Sequence, residues 1–147
     1  QEVEGAPSFA EALPALAELL AGHLPVAYNA SFDRGFLLAE TERNKHALAG
    51  FQGELPPALR TDVVWLDPLI WAREILKDQK SRRLGDVAAH FNIALEQAHR
   101  AAGDAEATGW VLLALADHMP RVYGELVRLQ TRYGAFQDAD RMSWQRR

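Results

Sequence analysis

Leu24-Pro25-Val26-Ala27-Tyr28-Asn29-Ala30-Ser31-Phe32-Asp33 decides how this chain reads. A short apolar run, suited to a buried strand, breaks directly into a polar cluster that ends on a carboxylate. From Ser31 to about Arg43 the pattern predicts a helix, so Asp33 stands at a strand-to-helix transition. Open α/β sheets gather their ligands at such transitions. A second cluster, His99-Arg100-Ala101-Ala102-Gly103-Asp104, opens a later helix. If Gly103 caps that helix, His99 lies on the preceding loop and Asp104 in the first turn, where the positive helix end favours an ionised carboxylate. Two carboxylates and an imidazole suit a divalent cation and the activation of a water against a phosphodiester.

Composition narrows the class. The chain has 147 residues, is 48% hydrophobic and carries a net charge of −4, as expected of one ordinary globular domain. The acidic balance argues against a protein that coats duplexes through bulk positive charge. With no cysteine, any metal is held by carboxylate, imidazole, backbone oxygen or water. No stretch is long enough to cross a bilayer and the first residues lack a signal-peptide pattern, so a cytoplasmic protein with no membrane partner is expected.

Outward from the two clusters, Ser8 and Glu11 read as a capping box for a helix carrying Phe9, Leu13, Leu16 and Leu20. Pro14 predicts a kink there or a later start. Val63-Val64-Trp65-Leu66 reads as a second strand, and Asp67-Pro68 as the cap and first residue of a helix to about Leu76. Lys77 to Arg83 reads as a solvated basic connector, with contact to a nucleic-acid backbone as the alternative for Lys77, Lys80, Arg82 and Arg83. Leu84, Val87, Ala88 and Phe91 mark a further helix that Asn92 ends in the left-handed conformation. A helix buried on most sides follows to His118, and Pro120 starts a last one, lined by Val122, Leu126, Leu129 and Tyr133 and closed by Gly134. Trp65, Trp71 and Trp110 read as core, and the remaining histidines as surface or partly buried residues. Residues 1–134 form the domain in this reading, and 135–147 a polar tail or linker.

In this order the segments resemble the DEDDh group of 3′–5′ exonucleases, which includes the proofreading epsilon subunit of DNA polymerase III. The resemblance rests on Gly5-Ala6-Pro7-Ser8-Phe9, Ala27 through Asp33, Leu84-Gly85-Asp86-Val87-Ala88 and His99 through Thr108. It implies an α/β, ribonuclease H-like fold, Asp33 and Asp104 as ligands of two Mg²⁺ or Mn²⁺ ions, His99 as general base, and Asn29 and Phe32 shaping the substrate pocket. The implied activity is hydrolysis of terminal phosphodiesters of DNA or RNA to 5′ mononucleotides. The implied partner is a nucleic-acid 3′ end, above all single-stranded DNA, with a polymerase or helicase as a further one. The family's opening Asp-x-Glu pair has no counterpart ahead of Asn29 beyond Glu2-Val3-Glu4, which lacks a flanking strand. The reading therefore expects the first strands of the sheet, and with them part of the site, to be absent from this chain. The alternatives are a non-catalytic remnant of the same fold that binds nucleic acid or protein, and a different metal-dependent phosphohydrolase built on the same His and Asp residues.

Overall fold

The computed structural model describes residues 4–95 and 101–144. The described residues are helical. Six α-helices and three short 3₁₀ turns are joined by loops, and the chain divides into two compact units.

The first unit holds residues 1–25 and 31–65. Its opening helix, α1 (Phe9–Leu20), starts as expected: the Glu11 N–H donates to Ser8 Oγ and the Ser8 N–H returns the bond to the Glu11 carboxylate at 2.7 Å. Two otherwise orphaned donors are thereby satisfied. The expected break at Pro14 does not occur, and α1 runs through it. Pro14 deprives only the Ala10 carbonyl of a partner, a loss confined to one turn near the helix start. Leu13 and Ala17, fully buried, pack with Leu59 against Phe9, Leu20, Leu37, Leu48 and Phe51. Burying a leucine of that kind contributes about 2 kcal/mol. The helix α2 (Ala30–Arg43) follows, as the sequence predicts. After it come 3₁₀ turns at Lys45–Leu48 and Pro57–Leu59.

The second unit holds residues 26–30 and 66–147. The two expected strands meet in it only as one parallel bridge, Val26 with Leu66, and the Ala27 N–H donates to the Leu66 carbonyl at 3.1 Å. Among the described residues no strand extends beyond it, because two short segments without further neighbours leave most of their backbone groups outside a ladder. Asp67 caps α3 (Pro68–Ile75), with Pro68 at its first position. The next helix, α4 (Leu84–His90), ends with Asn92 at φ 56°, the left-handed stop its sequence announces.

In α5 (Ala101–Leu115) the chain is already helical at Ala101. Gly103 therefore lies inside the helix rather than capping it, while Asp104 keeps its first-turn place. Trp110, expected in the core, is 53% exposed, and Leu113 is 63% exposed. Only the Ala107, Thr108, Val111 and Leu115 stripe of α5 is buried, so the helix is amphipathic in use although apolar all round.

The last helix, α6 (Tyr123–Trp144), begins three residues after Pro120 and leaves Val122 exposed rather than inward. It continues through Gly134, the expected stop. A Cβ at that position would sit 3.3 Å from Ile70 Cδ1, so the glycine serves a close approach of α6 to α3 and not a turn. Residues 135–144, expected to be a tail, extend the helix. Trp71, Ala72, Val87, Ala88, Val111 and Leu115 form the centre of this unit, with Leu126, Leu129 and Tyr133 of α6 packed on it. Trp71 meets Tyr133 edge to face at 5.5 Å. None of the described helices is long and apolar enough to cross a membrane.

Candidate active site

The turn that ends the apolar run is built around Asn29, whose φ of 66° places it in the left-handed region. Asparagine reaches that region more readily than most residues because its short polar side chain can hydrogen-bond locally. The turn is held from a distance in sequence. Asp67 Oδ1 accepts the Asn29 N–H and Oδ2 accepts the Ala30 N–H, each at 2.9 Å, while Oδ1 also accepts the Leu69 N–H at 3.0 Å. One buried carboxylate thus satisfies the first turn of α3 and the start of α2 together. Burial pushes the Asp67 carboxyl above the usual aspartate range, against the pull of these three N–H groups and of the Arg73 guanidinium.

Asp67 is itself fixed from α6. Its N–H donates to Gln130 Oε1 at 2.9 Å, and the Trp71 indole N–H donates to the same oxygen at 3.1 Å. Gln130 is only 3% exposed, a buried amide oxygen shared by two donors. Beside the turn, the Tyr28 hydroxyl donates to the Arg82 carbonyl at 2.6 Å. Burial, reinforced by the negative charges of Asp67 and Asp86, pushes that hydroxyl above the ordinary tyrosine range.

The residues singled out by sequence fall as follows. Asn29 is exposed at the turn. Phe32 is 74% exposed, and Asp33 lies exposed in the first turn of α2. Asp104 is half-buried in the first turn of α5, where its backbone carbonyl accepts the Thr108 hydroxyl at 2.8 Å. His99 lies outside the described residues. Asp33 belongs to the first unit and Asp104 to the second. Within the second unit the structure joins Asn29 to Asp67 and Tyr28 to Arg82. Sequence reading identified Asp67 as the cap of its own helix, through Asp-Pro, but carried no signal for its second role at a turn 38 residues away.

Among the described residues no group of three or more His, Cys, Asp or Glu side chains is placed to hold a metal ion. The described donors taken alone therefore do not make up a divalent-metal site.

Comparison with known proteins adds to this geometry. A family model described as exonuclease matches residues 1–112. The chain is 32% identical, over 90% of its length, to a PolC-type DNA polymerase III of Lacticaseibacillus paracasei. It is 36% identical over 75% of its length to the PolC-type polymerases of Streptococcus thermophilus and of Clostridium perfringens. It spans only 8% of the first of these proteins and 7% of the other two. No solved structure matches the chain. The resemblance to the epsilon-type exonucleases is borne out at the level of the family: this chain belongs to the exonuclease family.

Proposed function

We propose that this chain serves the 3′–5′ hydrolysis of terminal phosphodiesters in DNA, or RNA, releasing 5′ mononucleotides. The observation that carries the reading is the Asn29 turn, tied at both backbone donors to Asp67 and delivering Asp33 in the first turn of a helix within an exonuclease-family sequence. Asp33 and Asp104 are the carboxylates assigned to two Mg²⁺ or Mn²⁺ ions, which when bound supply Lewis-acid stabilisation of the phosphate. His99 takes the proton from the water whose oxygen bonds to phosphorus as the bond to the 3′ oxygen breaks, a role that suits an imidazole near neutral pH. Asn29 and the exposed ring of Phe32 shape the pocket for the terminal nucleotide. The substrate is assigned as a single-stranded 3′ end, and the protein as a cytoplasmic partner of a polymerase or helicase; the polymerase is supported by relatives named as PolC-type DNA polymerase III.

The second reading is a non-catalytic binding module of the same family. The discriminating assay is Mn²⁺-dependent release of mononucleotides from a 3′-labelled single strand. It is run on this chain and on a form extended upstream by an Asp-x-Glu strand, each with His99→Ala and Asp33→Asn variants. The exonuclease reading expects release that falls at least about 100-fold in either variant. Release that survives both variants overturns the assigned roles. Absence of release from both forms, with no rise in melting temperature on adding Mn²⁺, overturns the exonuclease reading in favour of the binding module.

A further inference from the structure

Next to the Asn29 turn, in the second unit, lies an open cavity of about 740 Å³ whose wall carries four arginines. Arg73 comes from α3, Arg82 and Arg83 from the connector before α4, and Arg141 from the last turns of α6. Tyr28 and Asn29 complete the polar wall, and among the described residues no carboxylate lines it. Four like charges converging from three elements repel one another, and such an arrangement persists most easily where an anion is taken up.

The charges are also poorly spent within the protein. Among the described residues only Arg141 of the four has a carboxylate within ion-pairing distance, the exposed Asp138 one turn earlier. Arg73 donates a hydrogen bond to a neutral amide, Gln137 Oε1, at 3.3 Å and acts on Asp67 through its charge without an ion-pair contact among the described residues. Arg82 donates one Nη2 bond to the Lys77 carbonyl, and its Nε is buried without a hydrogen-bond partner. Two further acids whose charges act on the adjacent Tyr28 hydroxyl are engaged elsewhere. Asp67 holds three backbone N–H groups, and Asp86 accepts the Ser81 hydroxyl.

We infer that this cavity is a phosphate-binding site that grips a nucleic-acid phosphate beside the Asn29 turn. Guanidinium groups match phosphate oxygens in pairs, and their charge survives at any physiological pH. The Tyr28 hydroxyl, donated to the Arg82 carbonyl, fixes the connector that presents Arg82 and Arg83. The phosphate belongs either to a phosphodiester of the strand or to the monoester of a released nucleotide. The inference takes its substrate class from the exonuclease reading but needs neither metal nor hydrolysis, so the two fail separately.

The test is fluorescence anisotropy in EDTA with a labelled octathymidylate lacking terminal phosphates, competed with thymidine 5′-monophosphate and with thymidine. The variants are Arg83→Gln/Arg141→Gln in the pocket and Arg128→Gln/Arg132→Gln, which removes the same charge elsewhere, with matching melting curves as the control for folding. If the pocket pair does not fold, Arg83→Gln alone replaces it. The expected result is at least tenfold weaker binding for the pocket pair, little change for the control pair, and a log–log salt slope shallower by about 1.4, near 0.7 for each lost contact. Displacement by the monophosphate but not by thymidine assigns the site to the monoester, and binding of the oligonucleotide without such displacement assigns it to the strand. No binding of either probe overturns the inference, as does equal loss in both pairs or loss in neither.

Discussion

The carboxylate of Asp67 accepts the backbone N–H of Asn29 at 2.9 Å, linking the cap of one helix to the turn that opens another. Because the same carboxylate also serves Ala30 and Leu69, Asp67→Asn leaves three donors with one acceptor oxygen and adds a buried donor of its own. The expected cost is about 2–3 kcal/mol. A urea unfolding midpoint that moves by less than the equivalent of about 0.5 kcal/mol contradicts the clamp.

Tyr28 gives a pH dependence with a definite sign. Its hydroxyl holds the proton more tightly folded than unfolded, because burial and the nearby acids disfavour the phenolate. That contribution is fully present below the unfolded value of about 10 and is lost as pH rises beyond it. Tyr28→Phe forfeits the bond to Arg82, about 1 kcal/mol at neutral pH. The wild-type advantage in melting temperature should then shrink between neutrality and strongly alkaline pH. A constant or growing gap refutes the assignment.

Two glycines inside helices should respond differently to alanine. At Gly109 a Cβ meets nothing within 4 Å, so Gly109→Ala gains the helix propensity difference, about 0.8 kcal/mol. At Gly134 the new carbon meets Ile70 Cδ1 at 3.3 Å, and displacing that methyl offsets the gain. Thermal melts of the pair test the ordering, with Gly109→Ala the more stable.

Leucines 13 and 113 look alike in the sequence and differ in burial, 0% against 63% exposed. Leu13→Ala is expected to cost about 2–4 kcal/mol through lost transfer energy and a residual cavity. Leu113→Ala, at an exposed position, is expected to change stability by less than about 0.5 kcal/mol. Equal effects in chemical unfolding argue against the core assigned to the first unit.

What the sequence determined by itself is local. The Ser8–Glu11 capping box, the Asp67-Pro68 helix start, the left-handed Asn92 stop and the placement of Asp33 in the first turn of α2 each depend on groups within a few residues of one another. Backbone sterics and the orphaned donors of a helix end fix such features before any packing occurs. The order of its motifs likewise placed the chain in its family. The tertiary structure alone decided which apolar residues are covered: Trp110 and Val122 match core residues in composition but face outward, because no described element packs over them. It also decided that α6 runs on through Gly134, where the close approach of α3 outweighs the intrinsic tendency of glycine to end a helix. The site divides the same way. Asn29 was legible, whereas the Asp67 clamp, the Gln130 oxygen behind it and the arginine-lined cavity join segments dozens of residues apart. Only the packing of α3, the connector and α6 brings those charges and donors within reach of one another.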